Sequence, residues 1–107
     1  MKNTRPRIMG IVNVTPDSFS DGGHYFEPQQ AIAQGLALAA AGADLLDIGG
    51  ESTRPGALPV SAEEQCRRVI PVITTLHTAL PRLPLSIGAP QAAVAEAALA
   101  AGASLIN

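Results

Sequence analysis

Polar side chains that could bind an anion or a metal ion follow directly after two apolar stretches of the sequence. The first stretch ends at Asn13 and is followed by Thr15-Pro-Asp-Ser-Phe-Ser-Asp-Gly-Gly23. The second ends at Asp47-Ile48 and is followed by Gly49-Gly-Glu-Ser-Thr-Arg-Pro-Gly56. Binding and catalytic groups collect on loops that a rigid scaffold holds. The sequence therefore predicts one functional site, built from two loops that open on the same side of a sheet.

The second loop carries residue types that suit an anion. Arg54 presents a planar fork of donors that fits phosphate or carboxylate, and Thr53 adds a hydroxyl. Pro55 stiffens the same loop. An isolated Arg more often forms a surface salt bridge, but a position just after a strand of a barrel favours anion binding.

Asn13 and Asp47 each have a functional and a structural interpretation that remain open. Asn13 could ligate a hard cation through its amide oxygen, or it could cap the following turn. Asp47 lies on a strand expected to be buried, where a carboxylate must be paired, hydrogen-bonded or protonated. It could bind a ligand or accept from the backbone of the Gly49-Gly50 turn. Phe19, an aromatic residue in a Gly-rich loop, could close over a flat ligand.

The composition indicates one globular domain in a reducing compartment. The chain has 107 residues, 47% of them hydrophobic, and a formal net charge of -2. This charge gives no electrostatic reason to expect a nucleic acid or membrane partner. Cys66 is the single cysteine, expected to be buried and inert, and nothing resembles a secretory signal. We therefore expect a cytoplasmic protein. Neither His24 nor His77 has a partner at metal-ligand spacing.

Apolar runs and helix signals predict alternating strands and helices. Pro28 suits the first turn of a helix, and Ser61-Ala-Glu-Glu64 forms a capping box. Pro71 lies within the second helix and should kink it. The predicted strands cover 9–14, 45–48, 85–88 and 104–106, and the predicted helices cover about 27–41, 61–80 and 91–101.

An internal repeat indicates the fold class. Ala40-Ala-Gly-Ala-Asp-Leu-Leu-Asp47 matches Ala100-Ala-Gly-Ala-Ser-Leu-Ile-Asn107, and each segment reads as a helix end, a Gly stop and an apolar strand. Repeated βα units predict a parallel sheet in an α/β fold. Because the strands are apolar without clear alternation, we expect the sheet to be covered on both faces.

Two α/β architectures compete. A doubly wound nucleotide-binding fold would have Gly-x-Gly-x-x-Gly after its first strand, and this sequence lacks it. A (β/α)₈ TIM barrel places its chemistry at the carboxyl ends of its strands, where Asn13, Asp47 and Asn107 stand. A barrel needs roughly 250 residues, so residues 1–107 are predicted to form the amino-terminal part, with about four strands and three helices. We expect such a partial barrel to form a homo-oligomer, bind a partner chain or belong to a longer chain.

Residues 9–23 and 47–56 together resemble the two signature segments of dihydropteroate synthases. The resemblance implies a (β/α)₈ barrel that acts as a transferase in folate biosynthesis. These enzymes condense 6-hydroxymethyl-7,8-dihydropterin pyrophosphate with p-aminobenzoate and release pyrophosphate in the presence of Mg²⁺. Sulfonamides compete with p-aminobenzoate.

The resemblance also implies roles for individual residues. Asn13 would hold Mg²⁺ and the leaving pyrophosphate, and Thr53 and Arg54 would contact the pterin substrate or its pyrophosphate. The remaining residues predicted to bind substrate are Asp17 and Ser18 on the first loop, Phe19 and Pro55 at the p-aminobenzoate pocket, Asn107 at the pterin ring, and Asp47 and Ser52.

Two departures from the family pattern lead us to expect that this chain alone is inactive. Gly88 replaces a carboxylate that binds the pterin in the family, and losing such a charge-assisted hydrogen bond weakens affinity about ten- to a hundred-fold. The sequence ends at Asn107, before the family's later strands with a second pterin-binding Asp, a Lys and a basic anion site. One alternative is a non-catalytic pterin- or phosphate-binding half barrel that self-associates. A methyltransferase-type pterin barrel fits the two loops less well.

Overall fold

The computed structural model describes residues 7–14, 28–50, 61–88 and 91–106, in which strands and helices alternate as predicted. Each observed boundary lies within two residues of its prediction. The elements are β1 (Met9–Asn13), α1 (Pro28–Ala40), β2 (Leu45–Gly49), α2 (Ala62–Ala79), β3 (Leu85–Gly88), α3 (Ala92–Ala101) and β4 (Leu105–Ile106).

The order of the strands decides between the two architectures. All neighbouring strands are parallel, and the sheet runs β1-β2-β3-β4 without a reversal. A doubly wound sheet reverses its strand order at the point where it binds ligand. A sequential order is that of a barrel whose strands follow one another around the axis. The fold is therefore that of the first four strands of a (β/α)₈ barrel, as predicted.

The helices cover one face of the sheet, so the expectation that both faces are covered is wrong for the described residues. The covered face carries Val12, Ile48 and Ile87, which share one row of the sheet and are fully buried. On the opposite face, Met9 and Ile11 are each 46% exposed. In a barrel this second face is the interior, which opposing strands cover.

Helix α2 forms the middle of the core. Val69, Ile73 and Leu76 are fully buried and form an apolar stripe along the helix. Ser61 is the N-cap, and its hydroxyl accepts from the Glu64 amide at 3.1 Å. The helix continues through the exposed Pro71 to Ala79, and the kink remains a prediction.

Cys66 on α2 is half-buried against the core, not fully buried as expected. Its position on the helix places it beside the apolar stripe, not within it. None of the helices in the described segments is long and apolar enough to span a membrane.

The two copies of the repeat end their helices in the same way. Gly42 and Gly102 have φ of 111° and 131°, a conformation that favours glycine. The amide one residue later donates back five residues, from Ala43 to Leu38 and from Ala103 to Ala98, each at 3.0 Å. This is the bond of a Schellman motif, which turns the chain from the helix into the next strand. The same local chemistry thus sets the entry of both β2 and β4.

Candidate functional site

The described part of the candidate site lies at the carboxyl ends of β1, β2 and β3. Asn13, Gly49 and Gly88 form one row across the sheet, since Asn13 pairs with Gly49 and Gly49 with Gly88. Asp47 and Ser86 pair in the row two residues earlier. Residues two apart on a strand share a face, so both rows lie on the uncovered face of the sheet. The register brings an amide, a carboxylate and a hydroxyl to one place.

Asn13 is the last residue of β1 and is exposed. Its neighbours Val12 and Val14 are buried on the helix face, so alternation places Asn13 on the uncovered face. The Val14 amide donates to the Gly49 carbonyl at 2.7 Å, which continues the pairing of the two strands beyond Asn13. Asn13 therefore stands on paired backbone at the rim of the sheet, and its ligand role stays a prediction.

Asp47 is held by the neighbouring strand. The Ser86 hydroxyl donates to Asp47 Oδ1 at 2.6 Å, and Ser86 is only 3% exposed. Such a short bond to a carboxylate is strong and fixes the orientation of both side chains. The bond shows a hydrogen-bonded carboxylate with Ser86 as one donor, and both interpretations of Asp47, ligand binding and acceptance from the Gly49-Gly50 backbone, stay predictions. The carboxylate stands on the face that also carries Asn13.

Gly88 leaves space beside Asp47. A Cβ at position 88 would lie 3.9 Å from Asp47 Oδ2 and 4.0 Å from the Ile48 carbonyl oxygen, which are ordinary contact distances. A Cβ could therefore stand here without displacing these neighbours, and it would lie next to the Asp47 carboxylate.

A cluster of charges on α2 reaches the end of β2. The Arg68 guanidinium donates to the Gly50 carbonyl and to Glu64 Oε2, both at 2.9 Å. Arg67 also binds Glu64, with two bonds of 2.8 Å. These hydrogen bonds, that of Arg67 first, hold the pKa of Glu64 below its ordinary value, and the bond to Glu64 raises the pKa of Arg67. Thr53 and Arg54 follow Gly50 by three and four residues in the sequence.

The residues that the structure describes could hold Mg²⁺ only together with further oxygen ligands from a bound substrate and water. Within the described ranges, no group of three or more His, Cys, Asp or Glu could hold a metal ion. His77 is exposed on α2. The Asn13 amide offers one hard oxygen at the rim of the sheet. Mg²⁺ commonly keeps several waters and binds through one or two protein groups plus substrate phosphates, so Asn13 fits such an ion.

An apolar cavity of about 430 Å³ lies at the opposite end of the molecule. It is lined by Ala39, Ala79, Leu80, Pro81, Arg82 and Leu83, where α1 and α2 end. These residues lie near the amino ends of the strands, away from Asn13 and Asp47. Because barrels of this kind place their chemistry at the carboxyl ends of the strands, we do not assign ligand binding to this cavity.

Several predicted site residues fall outside the described part of the chain. They are Asp17, Ser18, Phe19, Ser52, Thr53, Arg54, Pro55 and Asn107. Of the predicted set, the structure brings Asn13 and Asp47 to the same edge of the sheet.

Sequence reasoning missed two residues that contact this edge, Ser86 and Arg68. A lone hydroxyl in the apolar run of β3 was the available signal for Ser86. The spacing of Glu64 and Arg68, four residues apart on a helix, indicated their ion pair. It did not indicate the bond from Arg68 to Gly50, which joins residues 18 apart.

Comparison with known proteins agrees with this geometry. The sequence model of one family, described as "Pterin binding enzyme", matches residues 9–107. The dihydropteroate synthase of Bacillus subtilis is 51% identical over 100 residues, which cover 94% of this chain and 35% of the relative. That of Mycobacterium leprae is 45% identical over 101 residues, again 35% of the relative. The chain thus spans about a third of the length of these relatives.

Solved structures show the same similarity. The dihydropteroate synthase of Xanthomonas albilineans with 4-aminobenzoic acid has a TM-score of 0.87 at 62% identity, over 97% of this chain and 38% of that one. That of Burkholderia cenocepacia, complexed with 7,8-dihydropteroate, has a TM-score of 0.80 at 48% identity, and the match covers 97% of this chain and 33% of that one. Family match, sequence identity and fold agree over nearly the whole chain, which therefore belongs to the pterin binding enzyme family.

Proposed function

We propose that this chain supplies the amino-terminal part of a dihydropteroate synthase, a transferase of folate biosynthesis. The complete barrel would condense 6-hydroxymethyl-7,8-dihydropterin pyrophosphate with p-aminobenzoate to give 7,8-dihydropteroate and pyrophosphate. The observation that carries the proposal is the placement of Asn13 and the Ser86-held Asp47 on the uncovered face at the carboxyl ends of parallel strands. Similarity to relatives of that name over nearly the whole chain supports it.

The chemistry requires a stabilised leaving group. The bond between the pterin methylene carbon and the pyrophosphate oxygen breaks, and pyrophosphate leaves with the electron pair. The amine nitrogen of p-aminobenzoate forms the new bond to that carbon and then loses a proton. Fixed donors aimed at the developing charge accelerate such a step. We propose that Thr53 and Arg54 supply donors to the pyrophosphate and that Asn13 orients it from the rim of β1.

Mg²⁺ is part of this proposal as a bound ion. When bound, it would neutralise charge on the pyrophosphate. Asn13 is the described residue that would hold it through the amide oxygen, with phosphate oxygens and water as further ligands. The exposure of Asn13 and its place on paired backbone support this role.

Asp47 would bind the pterin ring. A carboxylate accepts hydrogen bonds from ring and amino N–H groups, and these bonds are stronger when the acceptor is ionised. The 2.6 Å bond from Ser86 restricts Asp47 to one orientation, with Oδ2 on the side of Gly88. Asp47 is thus the described carboxylate on this face that a pterin entering the barrel interior would meet.

The remaining predicted contacts complete the substrate site. We propose that Phe19 and Pro55 shape the p-aminobenzoate pocket, with Asp17, Ser18 and Ser52 beside it and Asn107 at the pterin ring. Sulfonamides would compete for this pocket, and a Yersinia pestis dihydropteroate synthase at 48% identity has been solved with a sulfonamide drug. We further propose a cytoplasmic protein, consistent with the free thiol of Cys66, and a homo-oligomer of complete barrels.

The test uses a fusion barrel, defined as residues 1–107 of this chain followed by the remaining strands of the Xanthomonas albilineans relative. The similarity over 97% of this chain makes the join structurally conservative. With both substrates and Mg²⁺, dihydropteroate is measured by liquid chromatography and mass spectrometry. We expect product above background, and loss of most of it with Asn13→Ala. A folded fusion barrel that makes no dihydropteroate would contradict the proposal.

A second candidate function is a pterin-binding module without catalysis, and Gly88 is the observation that favours it. A site without the family's carboxylate could retain weak pterin binding yet fail to position the methylene carbon. In that case the fusion barrel would bind pterin pyrophosphate in calorimetry but form no product at any p-aminobenzoate concentration. Turnover above background would exclude this alternative.

A further inference from the structure

We propose that Arg68 is a positioning residue, which supports the substrate site by holding the carboxyl end of β2 against α2. The inference rests on the proposed function, because it names a residue that acts on the ligand site without touching the ligand. Arg68 binds the carbonyl of Gly50, and Thr53 and Arg54 follow Gly50 by three and four residues in the sequence. Arg68 therefore acts where the chain leaves the sheet toward the proposed pyrophosphate contacts.

The contacts of Arg68 are suited to holding backbone. Its side chain is 14% exposed and makes two bonds at 2.9 Å, one to the Gly50 carbonyl and one to Glu64 Oε2. Hydrogen bonds from a charged donor are roughly twice as strong as neutral ones. The backbone of Glu64 is itself fixed, since its amide donates to the Ser61 N-cap hydroxyl at 3.1 Å. The first turns of α2 thus hold the Arg68 guanidinium in the position from which it donates to the Gly50 carbonyl.

Gly50 packs closely against α2, so that a side chain there would require its neighbours on the helix to shift. A Cβ there would lie 3.0 Å from Val69 Cγ1 and 3.3 Å from the Gln65 carbonyl oxygen. On the other side, the Gly49 carbonyl accepts from Val14 at 2.7 Å. The end of β2 is therefore held from two directions, by β1 through Gly49 and by α2 through Gly50. Arg68 supplies the polar part of the second contact.

Arg67 provides a matched control for Arg68. It is the adjacent residue on α2 and also binds Glu64, with two bonds of 2.8 Å. Its side chain is 67% exposed and points to solvent, while that of Arg68 reaches back to β2. Replacing either Arg removes an ion pair with Glu64, but only the change at Arg68 removes the observed bond to Gly50.

The experiment measures affinity of the fusion barrel for 6-hydroxymethyl-7,8-dihydropterin pyrophosphate by calorimetry. Arg68→Met keeps the apolar stem and should weaken binding several-fold, up to about tenfold, because the free energy of one charge-assisted hydrogen bond limits what its loss can transfer to the ligand site. Arg67→Met should leave the Kd within about twofold. Arg68→Lys keeps a cationic donor and should restore part of the affinity. Equal Kd values for Arg68→Met and Arg67→Met would overturn the inference.

A second measurement separates this inference from the proposed function. Hydrogen exchange of peptides covering residues 46–52 is followed in the 107-residue chain itself, without ligand. We expect faster exchange with Arg68→Met and no change with Arg67→Met. If the unmodified fusion barrel fails to bind pterin pyrophosphate, the proposed function is wrong, whereas unchanged exchange with Arg68→Met would show that Arg68 does not hold this segment.

Discussion

Restoring a carboxylate at position 88 should strengthen pterin binding. In Gly88→Asp, the new Cβ would lie 3.9 Å from Asp47 Oδ2 and 4.0 Å from the Ile48 carbonyl oxygen, so the backbone need not move. A carboxylate that accepts from a pterin N–H in a closed pocket should contribute about 1.5–3 kcal/mol. This corresponds to a Kd about ten- to a hundred-fold lower. The gain should come from the charge, not from filled space.

The same substitution should also lower the stability of the unliganded protein. If the new carboxylate turned to about 4 Å from that of Asp47, the two would repel by about 1 kcal/mol in water and about 4 kcal/mol at an effective dielectric constant of 20. The uncovered face is close to the first limit in the chain alone, so we expect a loss near 1 kcal/mol there. In the complete barrel, N–H groups of the bound ring would lie between the two carboxylates and relieve the repulsion.

The assay is calorimetric titration of the fusion barrel with pterin pyrophosphate at neutral pH. Gly88→Asn is the matched control, because it has the same shape and a neutral acceptor. We expect Gly88→Asn to change the Kd by less than about threefold, since a neutral hydrogen bond nets about 1 kcal/mol or less. If Gly88→Asp gained no more affinity than Gly88→Asn, the carboxylate would not be the group this pocket lacks, and the reasoning would be refuted.

Three further predictions concern the described residues. Ser86→Ala removes the donor to Asp47 Oδ1, so pterin affinity of the fusion barrel should fall about three- to tenfold, whereas Ser86→Thr should retain most of it. Ser61→Ala removes the N-cap of α2 and should lower the free energy of unfolding by about 1 kcal/mol in urea titrations, and Ser61→Asp should preserve it. The Glu64 carboxylate has a lowered pKa in the folded chain, so its contribution is present above the ordinary value of 4.5 and is lost as the pH falls through the lowered pKa. As the pH is lowered below about 4.5, the urea midpoint should therefore fall more steeply for the unmodified chain than for Glu64→Gln. Parallel curves of midpoint against pH would contradict a stabilising role for the ion pairs of Glu64 with Arg67 and Arg68.

Local signals in the sequence were sufficient to predict the elements. The cap at Ser61, the favourable first-turn position of Pro28 and the glycines that end two helices all act within a few residues. Each such signal reports on one turn of backbone and does not depend on the rest of the fold. The repeat predicted the parallel sheet, because successive βα units place their strands in the same direction, and the same Schellman bond ends the helix in both copies.

Contacts between distant residues could not be predicted in the same way. The partner of Asp47 is Ser86, 39 residues away, and the pairing depends on the register of β2 against β3. A shift of one residue would turn Ser86 toward the helices. The apolar residues of β1 suggested burial on both faces, yet Met9 and Ile11 lie on a face that the described part of the chain leaves uncovered. Strand residues that face the barrel interior and those that face the helices are both apolar, so residue type alone does not tell which strands or helices cover them.

Native mass spectrometry tests the central claim most directly. The 107-residue chain is mixed with the separately produced remaining segment of the Xanthomonas albilineans relative, with pterin pyrophosphate and Mg²⁺ added. We predict a one-to-one complex of the two segments that takes up one pterin pyrophosphate, and less uptake when the chain carries Asn13→Ala. A one-to-one complex that takes up no ligand would contradict the assignment of this sheet edge as a pterin pyrophosphate site.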